Sequence, residues 1–250
     1  MTDQKISRQA YIGPGVVLGE RVTIGPGAVL LGPCVIGDDV YIGAGALLGA
    51  PPEMTDQPQN AAWTGDLAHA GVVIGNGAVI REGAVIHQGS YRATTVGARS
   101  WILNRVYLAH DVLVGEDSTV SAGVSIGGHC VIGDRVNIGM NAVVHQRTFV
   151  SNGCMVGMGT PLNRDLPPFV KAYGSPVRIH GVNSVGLSRA GVQEEQAEAL
   201  LLAYQAGDLL LNGTFENWTD SLAVAIAEWR SREKRRVARL AKEIGSHNSA

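Results

Sequence analysis

An aliphatic side chain returns every six residues along this chain, at Ile12, Leu18, Ile24, Leu30, Ile36, Ile42 and Leu48. The same phase reappears at Ile74, Ile80 and Ile86, then runs unbroken in steps of six from Val96 to Leu162. The fifth position of each hexad is small or β-branched, as at Val22, Ala28, Val40, Ala46, Ala78 and Ala142. This pattern predicts short strands with inward residues four apart, each followed by a glycine-rich corner. Such a strand cannot bury its apolar edge alone, so successive turns must stack to build a continuous core. Three hexads close a triangular coil of 18 residues, and coils stack at the ordinary strand spacing of ~4.8 Å. The hexads present give a parallel β-helical prism of roughly eight coils.

Composition fits a repeat filled by aliphatic side chains: Gly accounts for 33 of 250 residues and aromatics for only 5%. Cys34, Cys130 and Cys154 all fall at the small inward position and read as core filler. Their odd number and lack of metal-type spacing predict neither a disulfide framework nor a zinc site. A formal charge of −2 leaves no electrostatic footprint for nucleic acid. The N-terminal MTDQKISRQA lacks the apolar stretch of a signal peptide, and no apolar run approaches the ~20 residues that span a bilayer. The expected protein has no integral membrane segment and resides in the cytoplasm.

Two interruptions mark insertions, a long polar loop at about 49–72 and a shorter excursion at 90–95. Long loops in compact repeats are more often functional than idle. Pro167 and Pro168 are expected to end the ladder, giving a β-helix over 1–185 and a small α-helical domain over 186–250. Two helical stretches are predicted there, 193–213 and 218–245, separated by Asn212-Gly213.

Eighteen residues per coil turn spacing into geometry. His110, Gly128, Gln146 and Arg164 are each 18 apart and should share one vertical column, with His129 and His145 flanking it. An outward imidazole one coil from a glycine amide resembles a general base beside an oxyanion donor. Asp111 follows His110 and could fix its tautomer. A second column holds Ala122, Met140 and Met158, a flexible apolar strip suited either to a neighbouring subunit or to an acyl-chain groove. The zinc carbonic anhydrases built on this repeat use a histidine pair five apart with a third more distant. His110, His129 and His145 lack that spacing, so no metal is expected.

At YLAHDVLVGED, GGHCVIGD and NAVVHQ the sequence resembles the UDP-N-acetylglucosamine O-acyltransferases, which open lipid A biosynthesis. The similarity extends through GDLAHAG in the insert, DLPPFVKAYG, and HGVNSVGLSRAG. It implies a left-handed β-helix and a homotrimer with three sites in clefts between prisms. It implies transfer of a 3-hydroxyacyl group from acyl carrier protein to the 3-hydroxyl of a UDP-N-acetylhexosamine. No cofactor is bound; the donor itself carries phosphopantetheine. His110 would be the general base, Asp111 its orienting partner, and the Gly128 amide the oxyanion donor. Asp66, His87, His129, Gln146, Asn183 and Arg189 would contact substrates, while Met140 and Met158 would border the acyl chain, Met158 favouring a short or medium one.

The chain departs from the family pattern at Ala68, Tyr107, Pro176 and Val185, where that pattern has lysine, histidine, histidine and a carboxylate. The chemistry is retained and the acceptor surroundings are altered. Two alternatives follow: N-acylation of a nucleotide-linked amino sugar from acyl carrier protein or coenzyme A, and a non-catalytic scaffold.

Overall fold

The computed structural model describes residues 4–59, 64, 69–213, 218–233 and 236–241. Short parallel strands stack into three sheets, which form the three faces of a left-handed β-helical prism. The first face runs from Lys5–Ile6 to Met155–Val156, the second from Tyr11–Ile12 to Pro161–Leu162, and the third from Val16–Leu18 to Phe149–Val150. As far as Leu162, register advances by 18 wherever a coil lacks an insertion: Tyr107 pairs with Ser125, Ser125 with Val143, and Val143 with Pro161.

Each strand sends two side chains inward, two residues apart and not four. Val22 and Ile24 bracket the outward Thr23, and all but the latter are buried. The four-residue interval from Ile24 to Ala28 is the corner. The distinction follows from the pleat, which alternates sides every residue. Burying a Val or Ile side chain contributes about 1.5–3 kcal/mol, so the core from Val22 to Val156 is a single stacked column of aliphatic contacts. Cys34, Cys130 and Cys154 are free thiols inside it, and burial pushes each of them up to about 12.

The three edges of the prism differ in chemistry. At the edge after the third face, Asx side chains tie coil to coil: Asp38 Oδ1 accepts from Glu20 N, Asn76 Oδ1 from Asp38 N, and Asp134 Oδ1 from Glu116 N. Arg21–Asp39 and Arg99–Asp117 pairs decorate the same edge. The edge after the first face carries Ala122, Met140 and Met158. The edge after the second face carries His110 and Gly128, and both insertions leave the prism there, after Leu47–Ala50 and after Val85–His87.

Beyond Leu162 the prolines do not stop the ladder. Val170–Tyr173 adds a further parallel strand to the first face, Met155 pairing with Lys171, and turns back through an antiparallel Arg178–Val182. Among the described residues three helices follow, α1 (Ser184–Arg189), α2 (Glu194–Gln205) and α3 (Asp220–Ser231). Leu200 and Tyr204 of α2 and Leu222, Ala225, Ile226 and Trp229 of α3 are buried; the Trp229 ring stacks on Phe149 at 6.0 Å, which seats the helices against the prism. Among the described residues no helix is long and apolar enough to cross a membrane.

The helix expected over 218–245 ends at Ser231. Arg239–Leu240 instead forms a strand parallel to Arg178–Ile179, and Asp165 fastens the return: its Oδ2 accepts from Arg236 N at 2.8 Å and its carbonyl from Ala238 N at 3.0 Å. A helix-forming composition loses here to an open sheet edge that offers a row of unpaired backbone groups.

Candidate functional site

His110 and Gly128 occupy equivalent corners of successive coils. The His129 N–H donates to the His110 carbonyl and the Arg147 N–H to the Gly128 carbonyl, so the 110, 128 and 146 corners are in register. A Cβ added to Gly128 would stand 2.6 Å from His110 Nε2 and 2.7 Å from Cε1. Glycine is required there to make room for an imidazole, since its φ lies outside the left-handed region. Among the described residues the Gly128 N–H donates to no backbone acceptor.

Asp111 is held more firmly than any other group at the site. Its side chain is fully buried; Oδ1 accepts from the N–H groups of Ser90, Tyr91 and Arg92 at 2.9, 3.1 and 3.2 Å, and Oδ2 accepts from the Ser90 hydroxyl at 2.6 Å. Burial alone would push the carboxyl up. The hydrogen bonds from Ser90, His110, Tyr91 and Arg92 outweigh it and bring the carboxyl down to about 2. An ionised carboxylate only accepts, so His110 Nδ1, 2.7 Å away, must carry the proton it donates to Oδ2. The Nε2 lone pair is thereby turned toward residue 128.

The 90–95 excursion thus contributes directly to the site, which spacing in the sequence did not disclose. The Arg92 guanidinium donates to the Asp111 carbonyl from Nε at 2.9 Å and from Nη2 at 2.6 Å, and to the His129 carbonyl at 3.4 Å. Tyr91 stacks on the His129 ring at 5.6 Å and is 66% exposed. His129 stands edge-on to His110 at 4.7 Å. Its imidazole is depressed by burial first and by Arg147 next, so it is neutral near pH 7.

The donor atoms of His110, Asp111 and His129 fall within 4.8 Å of one another, a spacing that could hold a metal ion. Both Asp111 oxygens already receive hydrogen bonds, and His110 Nδ1 is turned into them. The donor set is that of a hydrogen-bonded base and its orienting acid.

Other expected residues are placed less uniformly. His87 is buried, donates from Nδ1 to the Pro51 carbonyl at 2.7 Å, and tilts against Tyr107 at 5.3 Å, linking the long insert to the strand that leads to His110. Gln146 and His145 are exposed at the next corner. Asn183 is the N-cap of α1: Oδ1 accepts from Gly186 N and Nδ2 donates to the Gly153 carbonyl, which occupies both ends of its amide. Arg189 ends α1 exposed, with no contact to the His110 cluster among the described residues. Asp66 and Ala68 lie outside the described residues. Met140 and Met158 share the other edge, with the Gly159 N–H donating to the Met140 carbonyl, and are 49% and 74% exposed.

Residues 15–50 and 129–164 match hexapeptide-repeat transferase models, the second described as the repeat of succinyl-transferase. Residues 165–243 match the model described as UDP-N-acetylglucosamine O-acyltransferase, domain 2. An acyl-[acyl-carrier-protein]–UDP-N-acetylglucosamine O-acyltransferase of Campylobacter concisus is 32% identical over 206 residues, 81% of this chain and 76% of the relative. One of the same name from Thiobacillus denitrificans is 38% identical over 112 residues, a match spanning 45% of this chain and 43% of the relative. The crystal structure of a UDP-N-acetylglucosamine acyltransferase from Bacteroides fragilis superposes with a TM-score of 0.77 at 26% identity, covering 93% of this chain and 99% of that one.

Proposed function

Since this chain belongs to the UDP-N-acetylglucosamine O-acyltransferase family, we propose that it transfers an acyl group from acyl carrier protein to the 3-hydroxyl of a UDP-N-acetylhexosamine, with His110 as general base. The observation that carries this reading is the orientation of His110: Nδ1 is tied to Asp111 and Nε2 faces the corner of Gly128.

In this mechanism Nε2 takes the proton of the sugar hydroxyl as its oxygen attacks the thioester carbon. The Gly128 N–H receives the negative charge that develops on the carbonyl oxygen. Collapse breaks the C–S bond, and the imidazolium returns its proton to the departing thiolate. Asp111 stays ionised throughout and steadies the imidazolium. His129, neutral and beside His110, is placed to hydrogen-bond a substrate without adding charge.

The acyl groove needs a second copy of the chain. His110 lies on the edge after the second face and Met158 on the edge after the first, so one prism cannot set them side by side. Adjacent prisms in a homotrimer bring unlike edges together, and Met158 of one subunit then borders the site of the next. The resulting enzyme acts in the cytoplasm on the lipid A precursor.

The test is product analysis. Purified protein is incubated with 3-hydroxyacyl carrier protein and either UDP-N-acetylglucosamine or the corresponding UDP-amino sugar. An ester product alone is expected. An amide product would assign N-acylation instead, and no product with either acceptor would remove the proposal.

A further inference from the structure

Among the described residues Tyr91 is the most exposed aromatic side chain, yet it is held at both ends. Its backbone N–H donates to Asp111 Oδ1 at 3.1 Å, between the Ser90 and Arg92 N–H groups that meet the same oxygen. Its ring stacks on His129 at 5.6 Å, with the two planes 27° apart. An exposed tyrosine ordinarily turns freely and loses that freedom when a ligand binds; a ring fixed beforehand loses less. The excursion that clamps Asp111 therefore also presents a pre-oriented and largely bare aromatic ring next to the histidines.

What that ring can meet follows from its position. His129 stands edge-on to His110 at 4.7 Å, so the tyrosine lies one imidazole away from the base of the proposed reaction. A hydroxyl whose proton Nε2 takes sits ~3 Å from that nitrogen. The pyranose carrying the hydroxyl is then the part of the acceptor that reaches these rings, because the uracil lies a diphosphate and a ribose further out. In an α-linked nucleotide sugar the diphosphate stands axial and obstructs one face of the pyranose. The opposite face of a gluco-configured ring shows axial hydrogens at C2 and C4 and no axial oxygen, an apolar surface that suits an aromatic partner. A galacto-configured ring sets its 4-hydroxyl axial on that same face, where stacking would strip the hydroxyl of water.

We propose that Tyr91 is a stacking platform for the acceptor sugar and selects a gluco- over a galacto-configured ring, a role that rests on the acceptor reading above. The full chain is titrated calorimetrically, without donor, with UDP, UDP-N-acetylglucosamine and UDP-N-acetylgalactosamine. The expected result is roughly fivefold tighter binding of the gluco sugar than of the galacto sugar, a ratio lost in Tyr91→Ala and kept in Tyr91→Phe. Tyr91→Leu, which keeps apolar bulk without a ring, should lose it as well and serves where the alanine variant does not fold. Loosening of His129 alone would weaken both sugars together, so the ratio separates a platform from a prop. Equal binding of the two sugars by the parent, or a ratio that survives loss of the ring, would overturn the proposal. So would a fall in UDP affinity as large as that for the gluco sugar, which would place the ring against the nucleotide. A changed oligomeric state in both variants without a ring would assign Tyr91 to a subunit contact and overturn it too. The titration involves no acyl transfer, so a protein that keeps the Tyr91-dependent ratio yet forms no ester would refute the function and leave the platform standing.

Discussion

His110 Nε2 lies 2.6 Å from the point where a side chain on residue 128 would begin. The imidazole and the glycine are therefore one device. An imidazole can lie across the next coil only because that corner has no Cβ, and the same closeness puts the Gly128 backbone beside Nε2, the atom proposed to take the proton.

Gly128→Ala tests that device. Alanine tolerates the backbone conformation, whose φ is not left-handed, so the effect should be local: the methyl drives the imidazole off its position. We expect kcat to fall by about 10²–10³ while the circular dichroism spectrum and oligomeric state stay those of the parent. A kcat within about threefold of the parent would show that the closeness has no catalytic meaning.

Asp111 yields a pH-dependent prediction. Its carboxyl is held at about 2, below the ordinary unfolded value of about 3.9. The contribution to stability is therefore complete above about pH 5 and is lost as pH falls toward 2. Asp111→Asn should cost about 2 kcal/mol at neutral pH, and its melting curve should converge on that of the parent as the buffer is acidified. A deficit unchanged between pH 7 and pH 3 would contradict the hydrogen-bonded carboxylate.

Arg92 ties two carbonyls of the site together. By bonding the carbonyls of Asp111 and His129 it holds together the corners of two successive coils, on which the proposed chemistry depends. Arg92→Ala should lower kcat by about tenfold with the acceptor KM nearly unchanged, and Arg92→Lys should recover only part of the loss, because one ammonium cannot span both carbonyls as a guanidinium fork does. A loss confined to KM would mean that Arg92 meets the substrate itself.

The hexad phase made much of this legible. It placed His110 over Gly128 and Met140 beside Met158, because a lap of 18 residues maps spacing onto columns without further information, and it sent the three cysteines inward. The clamp by Ser90, Tyr91 and Arg92 was hidden: those residues sit in the interruption, where periodicity stops and only a left-handed Asp111 corner brings three successive amides onto one carboxylate oxygen. The Arg239–Leu240 strand was hidden for another reason. Its sequence favours helix, and the groups that overrule it, Arg178–Ile179 and Asp165, lie more than sixty residues upstream in position but adjacent in space. The capping role of Asn183 was hidden as well, because the resemblance placed that residue only among the substrate contacts.

The placement of His110 and Met158 on different edges leads to a test in trans. Met158 is 74% exposed in the single chain, and in the proposed trimer it would close the groove of a neighbour. Met158→Gly should accordingly shift donor preference toward longer acyl chains. A chain carrying both His110→Ala and Met158→Gly should be inactive alone, having no base. Co-assembled with parent chains, it lends its opened groove to parent His110, so the mixed trimers should gain turnover of long-chain donors that neither homotrimer shows. If the groove were built within one chain, the opened groove would always face a missing base, and the mixture would keep the parent's chain-length profile at reduced rate. Measuring rates across a series of acyl carrier donors for the three preparations separates these outcomes.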